Sequence, residues 1–127
     1  MSKDALVGKR VLLAEDFFSL AEMVRQMLEN LGCVVVGPVP SVQKALPLVQ
    51  TEQLDAALLD VSLKDGKVFP LADELHTRGI PYIFATAYDD EWAIPPAYRS
   101  APRVVKPFSE DELGTTLCAL FSAAPKP

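Results

Sequence analysis

The sequence predicts an α/β fold, a doubly wound five-stranded parallel sheet with helices on both faces. Three observations predict it. Short continuous apolar runs alternate with amphipathic segments along the whole chain, the order that builds a parallel sheet through crossover connections. The runs are short and bounded by Gly, Pro and Asp, so they read as strands buried on both faces. Several of them end at a polar side chain, and parallel strands place their chemistry outside their carboxyl ends.

Residues 10–14 (Arg-Val-Leu-Leu-Ala) form the first strand and run into Glu15-Asp16. From Ser19 to Leu31, the apolar positions Leu20, Met23, Val24, Met27, Leu28 and Leu31 recur at helical spacing. Ser19 with Glu22 forms a capping box for that helix, and Gly32 stops it. Residues 33–36, Cys33-Val-Val-Val36, make a second strand ended by Gly37-Pro38. Ser41 caps a second helix over 42–51, with Val42, Ala45, Leu46 and Val49 on one face. Pro47 lies inside it and predicts a kink. The third strand is 55–60, Asp55-Ala-Ala-Leu-Leu-Asp60, followed by Ser62 and the turn signal Asp65-Gly66. A third helix over 68–78 turns Leu71, Ala72 and Leu75 inward, with Pro70 in its first turn and Gly79 at its end. Residues 80–85 form the fourth strand, its proline at the start where proline is allowed. Pro95-Pro96 stop any helix near residue 94, so 88–101 is expected to hold at most a short helical turn with mobility on either side. Residues 103–105 are the fifth strand, followed by Lys106-Pro107-Phe108. Ser109 and Glu112 form a capping box for a last helix carrying Leu113, Leu117, Leu120 and Phe121 to about residue 122. The whole, 1–127, reads as one domain with its core over about 9–122 and a frayed tail over 123–127.

Composition narrows the function classes. The net charge is −5 and no block of Lys/Arg gives a nucleic-acid footprint. No apolar run reaches the roughly 18 residues of a transmembrane helix, and the N-terminus lacks an apolar segment of signal-peptide length, so a cytoplasmic protein with no membrane partner is expected. Cys33 and Cys118 have no zinc spacing and sit in apolar contexts, which predicts buried free thiols. His76, the only histidine, falls on the third helix and reads as a surface residue without a role. Phe17-Phe18 are expected to shield the strand ends or pack on the sheet edge, and Tyr88 and Trp92 either anchor a partner or pack locally.

The polar strand ends carry the chemistry. Taken singly each has a plain structural reading: Asp60 as a turn cap, Glu15-Asp16 as a solvated loop, Thr86 as a strand-end threonine, Lys106-Pro107 as a turn dipeptide. Taken together they converge on one edge of a parallel sheet. Crowded carboxylates need a cation to stay ionised, and hard oxygen donors suit Mg²⁺. Mg²⁺ neutralises phosphoryl oxygens, a carboxylate can act as nucleophile to form an aspartyl phosphate, and Thr86 and Lys106 are natural partners for phosphoryl oxygens.

The order Val-Leu-Leu-Ala-Glu15-Asp16, Leu-Leu-Asp60-Val-Ser-Leu-Lys-Asp-Gly66, Phe-Ala-Thr86-Ala-Tyr and Val-Val-Lys106-Pro-Phe resembles the receiver domain of two-component response regulators, over essentially the whole chain. The resemblance implies a (βα)5 flavodoxin-like architecture. It implies Asp60 as phospho-acceptor, and Asp16, Asp60 and the backbone carbonyl of Ser62 as Mg²⁺ ligands with Glu15 acting through water. It further implies Thr86 and Lys106 on the phosphoryl group, a cis Lys106–Pro107 bond, and room for the phosphoryl group beside Ala87. Two features depart from the pattern. Arg103 stands where most receivers carry a rotating Tyr or Phe, and the fourth-helix region holds Pro95-Pro96. The Phe84-Ala-Thr-Ala-Tyr88 run partly resembles a subgroup of stand-alone receivers with the motif Phe-Ala-Thr-Gly, a hydrophobic residue and Tyr. That likeness implies that phosphorylation orders 88–101 in place of the aromatic switch.

The expected function is that of a single-domain response regulator, a monomer or weak dimer. It takes a phosphoryl group from a histidine kinase or phosphotransfer protein and signals to a protein partner, acting catalytically on itself alone. The few residues after the last helix are expected to leave no room for an output domain. Alternatives are a receiver fragment of a larger regulator or a Mg²⁺-dependent aspartyl phosphatase. Such a phosphatase places a second carboxylate two residues after its nucleophile, where this chain has Ser62. A flavodoxin-like cofactor binder would carry a Ser/Thr/Gly-rich loop in place of Glu15-Asp16.

Overall fold

The computed structural model describes residues 3–87 and 94–122. Five strands, β1 (Arg10–Ala14), β2 (Val34–Val39), β3 (Ala56–Asp60), β6 (Tyr82–Thr86) and β7 (Arg103–Val105), form one parallel sheet. The spatial order is β2-β1-β3-β6-β7. The order therefore reverses between β1 and β3, and the crevice at such a switch point is where open α/β sheets bind ligands. Helices α1 (Phe18–Asn30) and α4 (Glu110–Ser122) belong to one layer, α2 (Val42–Thr51) and α3 (Phe69–Thr77) to the other.

Alternate residues of each strand feed the two cores. Val11, Leu13, Leu58 and Ile83 meet Val24, Leu28, Leu113 and Leu117. Leu12, Ala57, Leu59 and Phe84 meet Ala45, Val49, Leu71 and Leu75. Both faces are covered, which explains why the strands read as continuous apolar runs. Cys33 and Cys118 are buried and free, and burial pushes the Cys33 thiol up to about 11.

Several elements differ from the sequence reading. α1 starts at Phe18 with Phe17 in the cap position, so Ser19 is not its N-cap. Glu15 Oε2 accepts the Phe17 N–H at 3.1 Å, and Glu22 pairs with Arg25 at 2.8 Å instead of completing a capping box. Met23, expected inward, is exposed. Phe17 and Phe18 are 64 % and 77 % exposed, so they neither shield the site nor pack on the sheet edge. β2 does not end at Gly37-Pro38 but continues to Val39 through an irregularity in its pairing with β1. Pro38 is tolerated because β2 is an edge strand. Gly37 is required there: its φ is +101°, and a Cβ would lie 2.9 Å from the Leu13 carbonyl oxygen. α2 runs without interruption past Pro47, and Ser41 Oγ accepts the Lys44 N–H at 3.1 Å as expected.

Asp65-Gly66 belongs to an unforeseen hairpin, β4 (Ser62–Leu63) and β5 (Gly66–Lys67), with Ser62 paired to Lys67. Between β6 and β7 the described residues hold a 3-10 turn, Pro96–Tyr98, and no α-helix. The expected short helical turn is present, and it packs on the sheet: Ile94 is buried and Tyr98 stacks on Phe69 with ring centroids 4.7 Å apart. The Tyr98 hydroxyl donates to Asp73 at 2.6 Å. Tyr88, Trp92 and the rest of 88–93 lie outside the described residues, as does the tail over 123–127. The Ser109–Glu112 capping box is present, with reciprocal bonds of 2.9 and 3.0 Å.

Candidate functional site

Ladder hydrogen bonds bring the strand ends to one edge in register. Glu15 N donates to Val39 O at 2.9 Å, Val61 N to Ala85 O at 3.2 Å, and Lys106 N to Thr86 O at 2.8 Å. β1 thereby delivers Glu15 and Asp16, β3 Asp60, β6 Thr86, and β7 Lys106, whose bond to Pro107 is cis.

Glu15 and Thr86 are buried. The Lys106 ammonium lies 3.0 Å from Glu15 Oε1 and 3.1 Å from Asp60 Oδ2. One carboxylate oxygen from each of Glu15, Asp16 and Asp60 falls within 4.8 Å of the others, a set that can hold a metal ion. All three donors are hard and anionic, which suits Mg²⁺ or Ca²⁺ over softer metals. Electrostatics agree with a cation-seeking site. Burial pushes the Glu15 carboxyl above its ordinary range, aided by the charge of Asp60 and opposed by the Lys106 and Phe17 hydrogen bonds. For Lys106, burial acts to lower the pKa, but the hydrogen bonds and charges of Glu15 and Asp60 outweigh it and hold the ammonium above its usual range.

Asp16, Asp60, Ser62, Thr86, Ala87 and Lys106 line a cleft of about 440 Å³. Of the candidate site residues, Glu15 alone does not line the cleft, and it is joined to it through Lys106. The cleft is large enough for a phosphoryl group and its ligands, with an acid, a hydroxyl and an ammonium converging on it.

Sequence reasoning missed two residues. Lys67 also lines the cleft, and its ammonium donates to Ser62 Oγ at 2.9 Å. Asp65 caps α2, accepting the Val42 and Gln43 N–H groups at 2.9 and 3.0 Å. Both depend on the hairpin, whose only signal was the Asp65-Gly66 turn pair. Arg103 pairs in register with Phe84 at the start of β7.

Comparison with known proteins agrees with this geometry. A family model described as the response regulator receiver domain matches residues 11–117. SdrG from Sphingomonas melonis Fr1, solved in solution, is 36% identical, covers 95% of this chain and 99% of its own, and superposes with a TM-score of 0.79. The receiver domain of the sensor histidine kinase PA1611 from Pseudomonas aeruginosa PAO1 has a magnesium ion coordinated in its active-site cleft. At 24% identity, over 92% of this chain and 100% of that one and with a TM-score of 0.76, its likeness is one of fold. The transcriptional regulatory protein PdtaR of Mycobacterium tuberculosis is 29% identical over 113 residues. That match covers 87% of this chain and 55% of PdtaR, so the chain spans about half the length of this relative.

Proposed function

The chain belongs to the response regulator receiver domain family of two-component signalling, and from that premise we propose that it accepts a phosphoryl group on Asp60 from a histidine kinase or phosphotransfer protein and signals to a protein partner by a change of conformation. The observation that carries this reading is the bridging of Glu15 and Asp60 by the Lys106 ammonium at 3.0 and 3.1 Å, in a cleft that Thr86 also lines.

Each residue has a defined task. A carboxylate oxygen of Asp60 attacks phosphorus in line. The new O–P bond forms as the P–N bond to the donor histidine breaks, and the electron pair leaves with the imidazole, which takes up a proton from solvent. Lys106 keeps its proton and moves its hydrogen bond from the Asp60 carboxylate to a phosphoryl oxygen. The Thr86 hydroxyl donates to a second oxygen, and the small side chain of Ala87 leaves that approach open. Glu15, Asp16, Asp60 and the Ser62 carbonyl would hold Mg²⁺. When bound, the ion neutralises the acidic cluster and the phosphoryl oxygens. The reaction is a single transfer onto the protein itself, with no substrate turned over, so the chain acts as a regulator rather than an enzyme.

Intact mass after incubation with acetyl phosphate and Mg²⁺ tests the proposal. Wild type gains one phosphoryl group only when Mg²⁺ is present, and Asp60→Asn gains none. A wild type that binds Mg²⁺ yet forms no adduct refutes phosphoryl transfer and leaves a domain that signals by binding alone.

A further inference from the structure

We propose that Lys67 is a second phosphoryl-binding cation of this site, held ready on the β4–β5 hairpin to donate a hydrogen bond to the acyl phosphate at Asp60. The inference rests on the phospho-acceptor role proposed for Asp60.

Its position argues for this. The Lys67 ammonium is 2.9 Å from Ser62 Oγ, and the Ser62 N–H points to Asp60 Oδ1 at 3.3 Å. The cation is therefore one residue removed from the reacting carboxylate, in the same cleft as Thr86 and Lys106. The hairpin that carries it is tied down on every side. Ser62 pairs with Lys67 across it, and Leu63 and Val68 are buried. Val68 N donates to Val61 O at 3.0 Å and Lys64 N to Pro40 O at 3.0 Å, while Asp65 holds the start of α2. The pinned hairpin therefore fixes the base of the Lys67 side chain at the wall of the cleft, and its flexible stem leaves the ammonium free to exchange partners within it.

Charge supplies the second argument. With Mg²⁺ bound, the ion and Lys106 together neutralise Glu15, Asp16 and Asp60. An acyl phosphate carries one more negative charge than the carboxylate it replaces. Among the described residues lining the cleft, Lys67 is the remaining cation, and its partner before transfer is a neutral hydroxyl that it can exchange for an anionic oxygen. No covalent bond to Lys67 forms or breaks, and its proton stays in place throughout.

The experiment compares wild type, Lys67→Met and Lys67→Arg for the rate of adduct formation with acetyl phosphate and Mg²⁺, read by intact mass at low and high ionic strength. Lys67 is exposed, so all three chains fold alike. Methionine at this position slows the reaction by about three- to tenfold and flattens its salt dependence, and arginine restores both; a charged donor in a buried site is worth more, and exposure reduces it to this range. A purely structural lysine leaves the rate unchanged. Equal rates for wild type and Lys67→Met, with an adduct on both, overturn this proposal alone. No adduct on wild type overturns it together with the reading of Asp60.

Discussion

Replacing Lys106 with methionine tests the electrostatics of the site without any phosphoryl donor. The ammonium lies 3.0 and 3.1 Å from two carboxylates whose side chains are 4% and 13% exposed. At an effective dielectric of about 20, each contact has a gross attraction of about 5 kcal/mol, and the burial of the ammonium itself offsets several. Removing one partner of a buried pair costs about 3–5 kcal/mol because the other charge is left unpaired. Glu15 escapes part of that cost by binding a proton, so the expected loss in Mg²⁺-free buffer at neutral pH is about 3 kcal/mol, or ~10 °C in Tm. Burial already holds the Glu15 pKa above its ordinary value of 4.5, and losing the Lys106 bond raises it further. A carboxyl with a raised folded pKa contributes its full stability below the unfolded pKa and loses it as pH rises through the folded one. The gap between wild type and Lys106→Met therefore narrows on acidification from neutral toward 4.5. Added Mg²⁺ narrows it too. Urea unfolding followed by far-UV circular dichroism, in EDTA and across that pH range, reads all three effects. A gap that is small at neutral pH, or constant with pH and unmoved by Mg²⁺, refutes the argument.

Two further outcomes concern how the loops are held around the site. Asp65→Asn lowers Tm and loosens the hairpin from α2, seen as faster amide exchange at Val42 and Gln43, whose N–H groups it accepts. Those bonds hold the Asp65 carboxyl below its ordinary 3.8, so its stabilisation is present above that value and is lost as pH falls through the folded pKa; the variant and wild type converge in strong acid. Tyr98→Phe removes the 2.6 Å bond to Asp73 while keeping the ring stacked on Phe69. It costs about 1 kcal/mol in urea unfolding, and unchanged stability would mean that the ring alone holds residues 94–101 in place.

The alternation of apolar runs with helical segments was enough to read the fold class, because a strand covered on both faces must be apolar throughout, as Ala56–Leu59 are. The site was legible for a related reason. In a parallel sheet the residue that ends each strand has its position set by topology, so Glu15, Asp16, Asp60, Thr86 and Lys106 could be gathered from their places in the chain alone. Local chemistry also sufficed where its partner lay within one turn, as with the Ser109–Glu112 box. It failed at Ser19, because the start of α1 answers to the Glu15 carboxylate and not to the nearest hydroxyl.

What only the tertiary structure decided has a common cause: each case depends on a partner distant in sequence. β2 continues through Gly37-Pro38 because an edge strand leaves the proline's missing donor facing outward, and edge position is a property of the sheet. Asp65 caps a helix more than twenty residues earlier, and Tyr98 bonds Asp73 from 25 residues away. The hairpin that turns Lys67 into the cleft is too short to show a periodicity of its own. Sequence pattern thus determined which groups meet at the sheet edge. Long-range hydrogen bonding decided how the loops that carry their neighbours are pinned around them, since a bond between distant segments leaves no spacing to read.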